Sequence, residues 1–86
     1  MRTIWKYTLE DPNQKIDMPK DAKILTVQEQ HGLPCIWAEV DKDAPLEERT
    51  FVVVGTGHDI DFSNGEYIGT YLICNDNLVW HVYELV

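Results

Sequence analysis

The chain has 86 residues, of which 44% are hydrophobic, and its 15 Asp and Glu against 7 Lys and Arg give a formal net charge of −8. This length is typical of one domain, spanning residues 1–86, and the apolar fraction excludes a disordered chain. The negative charge repels phosphate backbones, so general DNA or RNA binding is not expected, although a pocket with a few local donors can still hold one small anionic ligand.

The N-terminal part of the chain is predicted to form short strands. Residues 3–10, TIWKYTLE, alternate so that Trp5 and Tyr7 share one face. Residues 11–13, DPN, predict a turn, because proline in its second position presets the backbone dihedral that a turn requires. A brief extended segment is expected around residues 16–18.

The next two segments predict a β-hairpin. Residues 22–30, AKILTVQEQ, form a strand in which strict alternation places Leu25 and Val27 on one face. Residues 35–41, CIWAEVD, form the second strand. Residues 31–34, HGLP, are expected to connect the two strands as a four-residue turn, since this segment is short and contains glycine.

The C-terminal half contains the most apolar strand, RTFVVVGTG at residues 49–57, which is expected to be central in its sheet. A polar loop, residues 42–48, precedes it, and a second loop, residues 59–65, follows it. The last two strands are expected to flank the turn residues NDN as a closing hairpin, with segments at residues 66–74, 75–77 and 78–85.

These patterns predict six or seven short strands, with at most a single helical turn near residues 45–48 or 61–64. The fold class is therefore all-β, as a small antiparallel barrel or a sandwich. Cys35 and Cys74 have no paired spacing and lie in apolar runs, so both are expected to be buried, reduced thiols of a cytoplasmic protein. No apolar segment reaches the length of a membrane span.

The GTGH segment after the most apolar strand is the first candidate site. It lacks the third glycine and the following helix of a dinucleotide-binding loop, and no Gly-Lys-Ser/Thr follows as in a P-loop. Gly55 and Gly57 still allow consecutive N–H groups to converge on an anion or a carbonyl group, and Thr56 and His58 can add hydrogen bonds. The alternative is a purely structural turn or bulge.

Aromatic side chains on predicted strands are the second group of candidate site residues. Stacking a nucleobase requires exposed aromatic faces with a cation nearby for phosphate. Lys6 and Arg49 are the candidate phosphate ligands, and His81 is a candidate to face the same pocket. Most aromatic residues of so small a protein must build its core. The candidate stacking residues are Trp5, Trp37, Tyr67 and Trp80.

The sequence contains no pattern that is typical of catalysis or of metal binding. The spacings of His31, His58 and His81 match no zinc motif. Ser63 is the only serine, and no G-x-S-x-G surrounds it. We therefore expect a protein that is not an enzyme, without a catalytic residue, cofactor or metal site.

Several longer motifs carry a resemblance to a known group. The segments TIWKYTLE, MPKDAKILTVQEQHGLPCIWAEVD, EERTFVVVGTGHDI, YIGTY and VWHVYE resemble a family of small uncharacterised proteins of bacteriophages and prophages. The resemblance covers nearly the whole chain and implies a phage setting, with no catalytic residues to carry over.

Two functions fit that setting. The first is an anti-defence sponge, a homo-oligomer that sequesters a small nucleotide-derived signalling molecule. The second is an acidic inhibitor that binds a host protein, where a negative surface can imitate nucleic acid.

Overall fold

The computed structural model describes residues 1–73 and 78–86 of the chain. These residues form seven strands and no helix, so nothing among them is long and apolar enough to cross a membrane as a helix. The strands are β1 (Arg2–Thr8), β2 (Asn13–Pro19), β3 (Lys23–Gln30), β4 (Leu33–Asp41), β5 (Leu46–Gly55), β6 (Gly65–Ile73) and β7 (Leu78–Leu85). The all-β prediction is confirmed.

The strands form two antiparallel sheets, with the order β1-β4-β3 in the first and β2-β5-β7-β6 in the second. Neither sheet closes on itself, so the fold is a sandwich and not a barrel. The two sheets approach most closely where β3 contacts β6. There, a Cβ added at Gly69 would lie 2.5 Å from Val27 Cγ1, so only glycine fits.

The core lies between the sheets and follows the alternation of the sequence. In β4, Ile36, Ala38 and Val40 point inward and are buried. Because successive side chains of a strand point to opposite faces, Trp37 points outward and is only partly buried. The other fully buried large side chains from the remaining strands and loops include Leu9, Met18, Phe51 and Val82.

The β3–β4 connection is shorter than the sequence predicted. β3 ends at Gln30 and β4 begins at Leu33, so the predicted four-residue turn is a two-residue turn of His31 and Gly32. These two residues have φ values of 57° and 83°. Positive φ at both positions is the geometry of a hairpin turn whose twist matches that of the strands.

Strict alternation also fails within β3. The pairing with β4 shifts between Ile24 and Thr26, so Leu25 is the extra residue of a β-bulge. As a result, Ile24 and Val27 both face the core, and Leu25 is 42% exposed and does not share the face of Val27. The predicted strand is present, but the prediction that Leu25 and Val27 share a face was wrong because a bulge interrupts the period of two.

The remaining boundaries agree in part with the sequence. β5 lies between β2 and β7, which confirms a central position for the most apolar strand, but it begins at Leu46 and shortens the predicted polar loop. Neither segment predicted to allow a helical turn is helical. Cys35 is buried as predicted, with 2% exposure. β6 and β7 pair as the predicted closing hairpin, whereas its turn at 75–77 and Cys74 lie outside the described residues.

Candidate functional site

The turn that follows β5 contains several of the predicted site residues. The His58 N–H donates to the carbonyl oxygen of Gly55 at 3.0 Å, which closes the turn. Gly57 has a φ of 87°, a left-handed conformation that side chains other than glycine rarely adopt. A Cβ at Gly55 would lie 2.7 Å from His58 Cε1 and 3.0 Å from Trp80 Cζ3. One glycine therefore permits the turn, and the other permits the His58 ring to lie close to the backbone.

A depression of about 280 Å³ opens at this turn. The His58 ring meets the Trp80 ring edge to face, with ring centroids 5.8 Å apart and planes at 80°. Such a pair presents an aromatic edge and a polar imidazole to the same space. The lining residues are Gly55, Thr56, His58, Leu78, Val79 and Trp80.

Trp80 also borders a second, mostly apolar groove of about 310 Å³ at the same end of the sandwich. Within the described part of the chain, Trp80 Nε1 is buried and has no hydrogen-bond partner. Burial raises the pKa of Tyr71, which also lines this groove, to about 12, so its hydroxyl is neutral at ordinary pH. The groove therefore has apolar walls and contains two aromatic side chains with polar atoms.

A line of hydrogen bonds runs along the outer face of the second sheet from the same turn. Thr56 Oγ1 donates to the Val79 carbonyl oxygen at 3.0 Å and lies 2.8 Å from His81 Nε2. Thr70 Oγ1 lies 3.0 Å from His81 Nδ1, and the Tyr67 hydroxyl contacts Thr70 Oγ1. We call Tyr67, Thr70, His81 and Thr56 the polar ladder.

The direction of each bond in the polar ladder follows from the Thr56 hydroxyl. Its single proton goes to the Val79 carbonyl, so Thr56 can only accept from His81, and Nε2 of His81 must carry a proton. Nδ1 of a neutral His81 then accepts from the Thr70 hydroxyl, which in turn accepts from Tyr67. The ladder is therefore complete with His81 as the Nε2–H tautomer.

Arg49 is in β5 but lies far from the turn that follows this strand. It donates from Nε and Nη2 to the two Glu84 carboxylate oxygens at 2.5 and 2.8 Å, and from Nη1 to the Ala22 carbonyl at 2.6 Å. The Glu84 carboxylate raises the pKa of Arg49 further above its usual value. Five residues of strand lie between Arg49 and Gly55, so six steps at the ordinary rise separate them by about 20 Å.

The candidates on β1 and β4 belong to the other sheet. Lys6 lies opposite Trp37 on the outer face of the first sheet, and its Nζ donates to Gln30 Oε1 at 2.5 Å. Trp5 lies opposite the buried Ala38, so its side chain is on the inner side, yet it is 39% exposed because β1 is an edge strand. None of these candidates lines the depression at the turn.

The predicted set therefore divides into two groups. The structure brings together Gly55, Thr56, Gly57, His58, Trp80 and His81, with Tyr67 joined through the polar ladder, and it separates Trp5, Lys6 and Trp37 from them. Arg49 does not line the depression at the turn, although it borders a different depression together with Tyr67. Thr70 was missed by the sequence reasoning. It shares a face with Tyr67, three residues away, only because the β6 register shifts between Tyr67 and Gly69, and the glycine was the one available signal.

The described residues contain no group of three or more His, Cys, Asp or Glu side chains arranged to hold a metal ion. Comparison with protein families gives a match over residues 1–86 to the family described as "Domain of unknown function (DUF7352)". The chain belongs to this family. Comparisons with curated proteins and with solved structures gave no match.

Proposed function

We propose that this DUF7352 protein binds a small, flat, nucleotide-derived molecule at the turn after β5 and does not catalyse a reaction. The observation that carries the proposal is the meeting of Thr56, His58 and Trp80 around one depression of about 280 Å³. Sites for small molecules are concave, mostly apolar and equipped with a few polar groups that fix orientation. The His58 imidazole and the remaining acceptor lone pair of the Thr56 hydroxyl supply such groups beside an aromatic wall.

The charges near the turn favour recognition of the base and sugar over recognition of phosphate. Three N–H donors of the Arg49 guanidinium are used by Glu84 and Ala22, Arg49 does not line this depression, and Lys6 lies on the other sheet. The ligand groups facing this depression would therefore be hydrogen-bonding and aromatic, with any phosphate directed to solvent. This differs from the expectation that Lys6 and Arg49 contact phosphate.

The biological setting of the proposal comes from the sequence motifs. Their resemblance to bacteriophage and prophage proteins supports a role inside an infected host cell, in the cytoplasm, where the protein would withhold a nucleotide-derived immune signal from its receptor. Sequestration requires only tight binding and sufficient protein, which is consistent with a small chain that offers no catalytic pattern.

The proposal is tested with the purified protein. Mass spectrometry of small molecules released by denaturation, followed by calorimetric titration with adenosine, ADP-ribose and cyclic dinucleotides, should identify a bound nucleotide-like compound. His58→Ala and Thr56→Val should each weaken its binding about tenfold, roughly the loss of one hydrogen bond.

The control for these titrations is His31→Asn, which changes a histidine in the β3–β4 turn and suits the positive φ of that position. It should bind as the wild type does. The proposal would be rejected if no compound gave binding heat in the titrations and if denaturation released no small molecule. Equal weakening by His31→Asn would reject the assignment of the site.

A second candidate function is an acidic inhibitor that binds a host protein. The observation that favours it is the location of the negative charge, since Glu84 is the one acidic residue that is buried within the described ranges. A net charge of −8 therefore acts at the surface, where it can attract a basic partner. Such a complex should form at low salt on a cationic host protein and weaken as salt rises, whereas failure to recover a partner at low salt would contradict it.

A further inference from the structure

Among the described residues the two sheets have four edge strands, and one of these edges is open to pairing with another strand. β3 and β6 are edges of different sheets, but they contact each other where the sheets meet. β2 carries Asp17 and ends at Pro19, features that discourage pairing with another strand. The remaining edge, β1, contains neither a proline nor an acidic residue.

The charged side chains of β1 do not protect its edge from pairing with another strand. The Arg2 Nε donates to Glu39 Oε2 at 2.6 Å, and Lys6 Nζ donates to Gln30 Oε1 at 2.5 Å. Both acceptors lie on strands to the inside of β1, so both cations fold back across the sheet. Ile4 and Trp5 at the middle of the strand stay 57% and 39% exposed.

Charge restricts which surface two copies can share. Each chain carries a formal charge of −8, so two copies repel each other over most of their surfaces. Every strand from β2 to β7 contains at least one Asp or Glu, whereas β1 contains Arg2 and Lys6 and no acidic residue. The approach of one β1 to another is therefore the least repulsive strand-to-strand contact.

We propose that a second copy of this chain pairs with β1 in antiparallel orientation, and that the two three-stranded sheets join into one sheet of six strands. A two-fold axis at Trp5, the midpoint of Arg2–Thr8, pairs all seven residues of the strand. In this register Ile4 lies opposite Lys6 of the partner subunit, and Trp5 lies beside its own symmetry mate. The main-chain groups of the open edge gain partners, and Ile4 and Trp5 lose exposed apolar surface.

The register gives a charge-swap test by sedimentation equilibrium. Ile4→Lys places one lysine opposite Lys6 of the partner subunit on each side of the axis, and should weaken dimerisation about tenfold. Ile4→Glu places carboxylates opposite the same lysines and should retain the dimer, although within one chain it adds repulsion to Glu39. Ile60→Lys is the matched control, since Ile60 is 52% exposed in a loop.

Salt and cross-linking complete the test. Rising salt screens the repulsion between two chains of −8 and should tighten the dimer, the opposite of its effect on a complex with a basic protein. Trp5→Cys should form an intermolecular disulfide on oxidation, whereas Ile60→Cys should not. A chain that is monomeric at every concentration, a dimer indifferent to Ile4→Lys, or equal cross-linking from both positions would overturn the proposal.

Discussion

Arg49 and Glu84 form a bidentate ion pair between the two sheets, with their side chains only 16% and 10% exposed. The third donor used by Arg49 reaches the Ala22 carbonyl in the turn between β2 and β3. The guanidinium therefore joins β5 and β7 to the segment that leads into the first sheet. A nearly buried pair of this kind has little net benefit over apolar residues, but a single charge left there is costly.

Breaking this ion pair should destabilise the fold strongly. Arg49→Met leaves the Glu84 carboxylate without its partner and should lower the free energy of unfolding by about 3–5 kcal/mol. The double variant Arg49→Met/Glu84→Leu removes both charges and should recover most of that loss. Urea unfolding followed by tryptophan fluorescence measures both variants. A double variant that is less stable than Arg49→Met would contradict this interpretation.

The close approach of the sheets at Gly69 should tolerate no larger residue. Gly69→Ala places a methyl group 2.5 Å from Val27 Cγ1, and Val27 is a stiff, buried side chain. The free energy of unfolding should fall by about 1–3 kcal/mol, the usual cost of overpacking. Adding Val27→Ala should make the Gly69→Ala substitution much less costly in a double-mutant cycle. If the losses in unfolding free energy from Gly69→Ala and Val27→Ala are additive, the contact with Val27 is not the cause of the destabilisation by Gly69→Ala.

The left-handed conformation of His31 makes the β3–β4 turn sensitive to side-chain branching. Its φ of 57° disfavours β-branched residues, whereas asparagine adopts such angles readily. His31→Val should lower the free energy of unfolding by roughly 1–2 kcal/mol, and His31→Asn should equal or exceed the wild type. Thermal unfolding of the three proteins provides the comparison. Equal stability of the valine and asparagine variants would argue against a two-residue turn.

The buried Tyr71 hydroxyl should make the fold unstable at alkaline pH. Its pKa is raised from 10.0 to about 12, so between these values the unfolded chain loses the proton while the folded chain keeps it. The stabilisation is fully present below pH 10 and is lost as pH rises through 12. Tyr71→Phe should remove this part of the pH dependence, measured as the difference in urea midpoints between pH 9 and pH 12. The same change in urea midpoint between pH 9 and pH 12 for the wild type and Tyr71→Phe would contradict the raised pKa of Tyr71.

Much of the fold could be predicted from the sequence, because the alternation of apolar and polar residues along a strand indicates directly which side chains are buried. Residues 36–41 of β4 alternate between buried and partly buried side chains without interruption, as the alternating sequence IWAEVD indicates. The errors arose where the period of two is broken, as at Leu25, whose extra residue in the β-bulge leaves no distinctive sequence signal. The two-residue turn at His31 and Gly32 was missed because the usual sequences of such a turn are Asn-Gly and Asp-Gly, not His-Gly.

The candidate site was predictable only where its residues are close in sequence. The turn at 55–58 could be recognised from its glycines, but its contacts with Trp80 and His81 depend on the pairing of β5 with β7. The inward direction of Arg49 did have a signal, since it shares its alternation with Phe51 and Val53. Its partner Glu84 could not be identified without knowing which strands are neighbours.

The most direct test of ligand binding at the turn uses the indole N–H resonances of the three tryptophans, Trp5, Trp37 and Trp80, in a two-dimensional NMR titration. The nucleotide-like compound released from the protein, or adenosine as a probe, is added to the labelled chain. We expect the indole resonance of Trp80 and the amide resonances of Thr56 and His58 to shift together and saturate, while those of Trp5 and Trp37 stay in place. Saturable shifts at Trp37 and Lys6 with none at Trp80, or no shifts at all, would contradict the proposed site.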